Sequence, residues 1–262
     1  MPHIPADLAK AQIMISNDDG IHSQGIKVLE ECVISLGARH CVVAPESEQS
    51  AAGHSLTIHR PLRIQRYDDN HFSVYGTPTD CVVMGIQHVM KDAPPDLVVS
   101  GINHGKNAAD DVTYSGTIAV AIEATLLGCP AIAFSQHIGG GHGDINWDIA
   151  QKWVPEVLKK LAGFAIEKNT LLNVNLPRGD TEPKGIVVVP QGHYEASSDD
   201  VIECMDPRGR KYFWIGPPQA TDHAGMDYDA AALTSGYITI TPLTLNLTHH
   251  KTLDALKEKI GS

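Results

Sequence analysis

A chain of 262 residues that is 42% hydrophobic has enough apolar material for a full core, which excludes a disordered chain; its length suits one large domain or one domain with an extension. A net charge of −11 and a pI near 5.6 argue against general electrostatic binding to nucleic acid or to an anionic membrane, so a small anion would need a dedicated site. Cys32, Cys41, Cys81, Cys129 and Cys204 form no CxxC pair and sit mostly in apolar runs, which suits reduced thiols in the cytoplasm rather than a disulfide framework.

Residues 1–10 contain Pro2, Pro5 and Asp7, lack a basic leader with a long apolar stretch, and read as a loose extension. No later stretch approaches a membrane span. Gln12 to Ile15 then form a short buried strand that runs into Ser16-Asn17-Asp18-Asp19-Gly20. In an open parallel α/β sheet, ligands collect at the carboxyl ends of the strands. Side chains alternate along an extended strand, so Asp18 and Asp19 converge only if the strand stops there, and Gly20 permits the turn. Two adjacent carboxylates suit a hard divalent cation such as Mg²⁺ or Mn²⁺. A solvated turn or a helix N-terminus is, for an isolated Asp-Asp-Gly, the commoner explanation.

Ile26, Leu29, Val33 and Leu36 recur at helical spacing with Gly37 as a C-cap, and Cys41 to Ala44 is a second buried strand. Strand, helix and strand make a parallel crossover unit, but Gly-x-Gly-x-x-Gly is missing, so a dinucleotide site has little support. Pro45 opens the loop Glu46 to His54, which carries Ser50 out of the same sheet edge. Alternating apolar residues in Ser55 to Tyr67, with Phe72 to Tyr75 as a partner across Asp68-Asp69-Asn70, predict an antiparallel excursion. A helix follows, with Thr79 as N-cap and Val82, Val83, Ile86 and Val89 as its apolar face.

After Pro94 and Pro95, the buried strand Asp96 to Val99 ends in a third polar loop, Ser100-Gly101-Ile102-Asn103-His104-Gly105-Lys106-Asn107. Lys106 is either a phosphate contact or a solvated lysine, and Asp110-Asp111 reads as a helix-entry pair rather than a second metal site. Tyr114-Ser115-Gly116-Thr117 leads into Ile118 to Gly128, a helix apolar nearly all round that must be packed on most of its surface. Unpaired N–H groups, two hydroxyls and a glycine at Ser115, Gly116 and Thr117 fit an anion cradle, and fit a well-capped helix equally well.

The rest alternates in the same way: a strand at Ala131 to Ser135, a glycine-rich loop His137 to Asp144 expected to be mobile, a helix marked by Trp153 to Leu161, and strands Leu171 to Leu176 and Gly185 to Val189. Val201 to Met205 and Lys211 to Ile215 read as a protruding hairpin, followed by a helix at Asp227 to Thr234, a strand at Tyr237 to Thr241 and a helix at Thr252 to Ile260. The expected fold is therefore α/β: a Rossmann-like, three-layer, mostly parallel sheet over residues 1–190 that carries the site. Residues 191–262 add a C-terminal hairpin, strand and helix for subunit exchange. His54, His104, His193 and His223 are acid/base candidates by type, but a histidine in a polar loop is more often a surface hydrogen-bonding residue.

Asp18 and Asp19, Ser50, and Asn103 thus leave one sheet edge on three loops, with a phosphate-shaped helix start downstream, and their agreement favours a metal-assisted phosphoryl site. These residues resemble the SurE family of metal-dependent nucleoside 5′(3′)-monophosphate phosphatases. The resemblance covers nearly the whole chain, through Ser16-Asn17-Asp18-Asp19-Gly20, Ala44-Pro45 with Gln49-Ser50, Gly76-Thr77-Pro78-Thr79-Asp80-Cys81, Ser100-Gly101-Ile102-Asn103, Tyr114-Ser115-Gly116-Thr117, Asp206-Pro207-Arg208-Gly209 and Thr241-Pro242-Leu243. It implies one Mg²⁺ or Mn²⁺ per subunit on Asp18, Asp19, Ser50 and Asn103. It further implies phosphate at Asn103, Ser115, Gly116 and Thr117, and a homodimer with exchanged C-terminal segments that can pair into tetramers. Asp18 or Asp19 would take the proton of the attacking water. The chain departs from the family in having Ala109 where a glycine is usual, in a Gln191 to Ser198 segment that is shorter and less basic, and in its N-terminal extension. The rivals are a noncatalytic nucleotide-binding protein and a receiver-like Mg²⁺ module, which would need a phospho-accepting aspartate at the end of a later strand.

Overall fold

Short apolar runs rich in Val, Ile and Ala alternate with helical periodicity along this chain, and the backbone of the computed structural model follows that alternation. It describes residues 1–138, 145–179, 181–194, 201–215 and 226–261. Most of the glycine-rich loop expected to be mobile (139–144), His223 and part of Gln191 to Ser198 lie outside the described residues.

The strands are β1 (Gln12–Ser16), β2 (Arg39–Pro45), β3 (Ile64–Arg66), β4 (His71–Val74), β5 (Leu97–His104), β6 (Ala131–Gln136), β7 (Thr170–Leu176), β8 (Ile186–Val188), β9 (Val201–Met205), β10 (Lys211–Ile215) and β11 (Ile238–Thr244). The helices are α1 (Gln24–Ser35), α2 (Pro78–Met84), α3 (Gly116–Leu126), α4 (Asp148–Leu161), α5 (Asp229–Thr234) and α6 (His250–Ile260). Nine strands form one sheet in the order β3-β4-β2-β1-β5-β6-β7-β11-β8, and β9 and β10 form a separate hairpin. The strands from β4 across to β7 are mutually parallel, whereas β3 is antiparallel to β4 and β11 is antiparallel to β7. This is the three-layer α/β arrangement the sequence predicts.

Period-two alternation sends neighbouring residues of β1 into different layers. Ile13 and Ile15 join Ile26, Leu29, Val154 and Leu158 on the side of α1 and α4, while Met14 joins Val98, Ile118 and Ala121 on the side of α2 and α3. Chain order runs outward from β1 to β2 and β4, then returns to place β5 on the other side of β1. The gap between the carboxyl ends of β1 and β5 is therefore a topological switch point, where open α/β sheets hold ligands.

Several local expectations change. The N-terminal extension is not loose: Ile4 is fully buried, Leu8 nearly so, and Ile4 exchanges backbone hydrogen bonds with Gly163 and Phe164. Two apolar side chains at ~1.5–3 kcal/mol each outweigh the flexibility suggested by two prolines. The antiparallel excursion is shorter than read, since only β3 and β4 pair, and β4 joins the main sheet parallel to β2. The cap of α2 is Thr77, whose hydroxyl accepts from the Asp80 N–H while the Asp80 carboxylate accepts from the Thr77 N–H. Pro78 fits the first helical position because it needs no N–H there, which moves the start two residues upstream of Thr79.

Ala109 adopts a left-handed φ of 51° and is fully buried. Relief of the Cβ strain, ~1–2 kcal/mol, exceeds the entropy a glycine adds to the unfolded chain, ~0.5–1 kcal/mol. Ala109→Gly should leave the melting temperature unchanged or raise it by ~2–4 °C, and Ala109→Val should lower it clearly; a drop on Ala109→Gly would contradict the strain argument.

Candidate metal and phosphate site

β1 ends because its last side chains are polar and Asn17 folds the backbone over. The Asn17 amide donates to Gly20 O at 3.0 Å and to Ser23 Oγ at 2.8 Å, its Oδ1 accepts from the Gly20 N–H, and Gly20 takes φ 95°. The turn leaves Asp18 buried and Asp19 half-buried at the switch point.

α3 starts directly against Asp18. The Thr117 hydroxyl donates to Asp18 Oδ1 at 2.5 Å, and a β-carbon added to Gly116 would lie 2.6 Å from Asp18 Cβ and 2.8 Å from its Oδ2. Glycine is thus required there by the close approach of the carboxylate. Ser115 is the N-cap of α3, its Oγ accepting from the Ile118 N–H at 3.1 Å. Of the two hydroxyls read as an anion cradle, one caps the helix and the other holds Asp18.

Burial raises the pKa of Asp18, against the Thr117 hydroxyl and backbone N–H groups that favour its ionised form, and Glu48 adds to the rise. Asp19 is pushed up to about 6 by burial and by the charge of Asp18, with Glu48 contributing and the His104 N–H opposing. Among the described residues, no lysine or arginine forms an ion pair with either carboxylate. A divalent cation would offset the mutual repulsion of such a pair.

Asn103 sits near the end of β5, its amide nitrogen donating to Gly105 O at 2.9 Å, which leaves its carbonyl oxygen as the atom suited to a ligand. The loop after β2 approaches through Gln49, whose N–H donates to Asp18 O at 2.8 Å. Ser50 follows, exposed, with its hydroxyl on Glu48 Oε1 at 2.7 Å. Among the described residues, no three His, Cys, Asp or Glu side chains gather into a metal cluster. An ion here would take two carboxylates and complete its shell from neutral oxygens and water, a donor set that fits Mg²⁺ or Mn²⁺ and not a zinc cage.

The loop beyond Asn103 is fixed by buried amides. Asn107 O accepts from the side chains of Asn173 and Asn175, while its own amide donates to Ser135 Oγ. The Ala109 N–H donates to the buried Asp229 carboxylate, which also accepts from the Gly192 N–H. Asp110 and Asp111 lie in the first turn of a 3-10 helix, as read from sequence, and also receive His193 Nδ1, the Tyr194 N–H and the Tyr194 hydroxyl. Lys106 lies 5.1 Å from the centre of the Tyr194 ring. Of the histidines, His54 meets Glu123, His193 meets Asp110, and His104 is exposed.

The family model described as Survival protein SurE matches residues 13–198. The chain belongs to the SurE family. A 5′-nucleotidase SurE of Paramagnetospirillum magneticum is 46% identical over 253 residues, covering 96% of each chain. A second, from Parvibaculum lavamentivorans, is 44% identical and covers 96% of this chain and 91% of that one. The crystal structure of a SurE protein from Aquifex aeolicus superposes with a TM-score of 0.82 at 40% identity, covering 94% of this chain and 98% of that one. The SurE fold is thereby shared over nearly the whole chain.

Sequence alone singles out neither Glu48, whose charge bears on Asp18 and Asp19, nor Glu123, the partner of His54. Glu48 is one of many loop acids and carries no spacing signal, whereas Glu123 could have been noticed as the one charge in an otherwise apolar helix.

The packing of Gly116 on Asp18 yields a test that separates the start of α3 into its parts. Gly116→Ala should displace Asp18 and weaken Mn²⁺ binding by about ten- to a hundredfold, as is usual when a ligand's support is disturbed. Ser115→Ala should instead cost about 1 kcal/mol of stability with Mn²⁺ affinity kept. Titration calorimetry and thermal melts on both variants decide it, and wild-type Mn²⁺ affinity in Gly116→Ala would refute the packing argument.

Proposed function

We propose that this protein is a divalent-metal-dependent 5′-nucleotidase, which hydrolyses nucleoside 5′- and 3′-monophosphates to nucleoside and phosphate and also cuts short polyphosphate. The observation that carries the reading is the pair of carboxylates, Asp18 and Asp19, held without a basic partner among the described residues at the switch point of an α/β sheet. The naming of close relatives as 5′-nucleotidases supports the substrate class.

In this reading one Mg²⁺ or Mn²⁺ per subunit is held by Asp18, Asp19, Ser50 and Asn103. Such an ion supplies electrophilic charge to the phosphoryl group and makes water a competent nucleophile near neutral pH. The protein's own part is positional. Thr117 fixes the rotamer of Asp18, the Asn103 side chain and the first N–H groups of α3 at Ser115 and Gly116 hold phosphate oxygens, and Asp18 or Asp19 takes the proton of the attacking water. Thr117 contributes to phosphate binding chiefly through Asp18. A receiver-like module is disfavoured because β2, β5 and β6 end in Pro45, His104 and Gln136 and present no phospho-accepting aspartate.

The assembly in this reading is a homodimer that exchanges its C-terminal segments, with tetramers as pairs of dimers. Trp214, Ile215 and Val201 of the β9–β10 hairpin are 63%, 81% and 62% exposed, and α6 buries no residue. Apolar surface on projecting elements is what a second copy of the chain would cover. β11 lies between β7 and β8 as an interior strand of the sheet. No helix among the described residues is long and apolar enough to cross a membrane. Five free cysteines fit the reducing cytoplasm.

Phosphate release from a panel of nucleotides should require Mg²⁺ or Mn²⁺, vanish in EDTA, and fall sharply in Asp19→Asn along with metal affinity. Turnover in EDTA would refute the metal role, and tight nucleotide binding with no phosphate release would favour the noncatalytic rival. For the assembly, light scattering at micromolar concentration should give a dimer or tetramer; a monomer would end the exchange proposal.

A further inference from the structure

Ser50 lies on a stretch of chain, residues 47–54, with no strand or α-helix of its own. A ligand on such a loop is only as well placed as the contacts that hold the loop. Most of those contacts are internal: Ser50 Oγ to Glu48, Gln49 Nε2 to Ser47 O, and the Ala52 N–H to Gln49 O. The backbone is tied to the site once, by the Gln49 N–H on Asp18 O. Among the described residues, the one side chain of 47–54 that hydrogen-bonds outside the loop is His54, whose Nε2 lies 2.9 Å from Glu123 Oε2.

Glu123 is the only charged residue of α3 and is 7% exposed. A buried carboxylate needs a donor, and among the described residues that donor is His54. The same helix holds Asp18 through Thr117, nearly two turns earlier. One rigid element thus carries the anchor of Asp18 at its start and the anchor of the Ser50 loop further along.

We propose that His54 and Glu123 form a latch that sets the position of the Ser50 loop relative to Asp18 and Asp19, with His54 a positioning residue for the metal site rather than an acid or base. The proposal rests on the reading of Ser50 as a metal ligand. The latch works through α3 as a common ruler: losing it leaves the carboxylates in place but frees the neutral ligand, so metal binding weakens without being abolished.

Titration calorimetry with Mn²⁺ alone tests this without reference to turnover. His54→Ala should raise the Kd for Mn²⁺ by about tenfold, the low end of the effect of removing a ligand's support, and should speed proteolytic cleavage within 47–54. His54→Gln, which keeps an N–H for the carboxylate, should restore both values towards wild type. In a Glu123→Leu background the His54→Ala effect should disappear, because the two residues act as one unit. Wild-type Mn²⁺ affinity in His54→Ala, or a lowered melting temperature with no change in affinity or cleavage, would overturn the latch and leave a merely structural contact. Asp19→Asn serves as the control. If it loses Mn²⁺ while His54→Ala does not, the latch alone fails; if it binds Mn²⁺ as wild type does, the metal-site reading fails and the latch with it.

Discussion

The contact between Thr117 and Asp18 is the constraint around which the site is organised. A buried carboxylate beside a second one is costly unless donors fix it and a cation offsets it. Here the donors come from the first turn of α3, and the N-terminal end of a helix is where backbone N–H groups favour negative charge. The geometry is demanding: α3 must come so close that no side chain fits at Gly116, and its neighbouring positions must be small enough to lie flat on the sheet. Ala121 and Ala124, packed with Val98, Ala131 and Ala133, meet that second demand.

The sheet changes character at the level of this contact. Below it β1, β5, β6 and β7 present Met14, Val98, Ala131 and Leu171 to α2 and α3. One step further along, register brings Ser16 beside Ser100, Ser100 beside Ala133, Ala133 beside Asn173, and Asn173 beside Thr241. Four of these five side chains are polar, and all are fully buried. The amides of Asn173 and Asn175 then hold Asn107, so the polar level supports the loop that follows Asn103. Apolar packing fixes where the helices lie, and the polar level fixes where the loops begin.

Much of this was legible in the residues. Apolar runs located the strands because a strand buried on both faces has little choice of composition, and β9 and β10 matched their predicted limits because a turn signal separates them. Asp18, Asp19 and Asn103 stand out in the sequence because each follows such a run. What stayed hidden was whatever depends on partners distant in sequence. The docking of the Ile4 backbone needs Phe164, the commitment of Thr117 needs Asp18, and the pairing of His54 needs Glu123. The start of α3 reads the same whether its groups hold phosphate, a carboxylate or nothing, since the local pattern encodes only unpaired donors.

The place of β11 bears on how the chain reaches this state. Late in chain order, it inserts between two strands made earlier, antiparallel to β7 and parallel to β8. Without it, β7, almost wholly buried in the finished fold, would present an open edge, and β8 would have no neighbour in the sheet. Unpaired edges of this kind invite pairing with other chains. The Asp18 half of the molecule can assemble from strands that are already present, whereas the Asn173 and Asn175 supports stay on an unfinished border. Synthesis thus delivers the strands that flank the carboxylate pair before the strand that completes the opposite flank of the sheet.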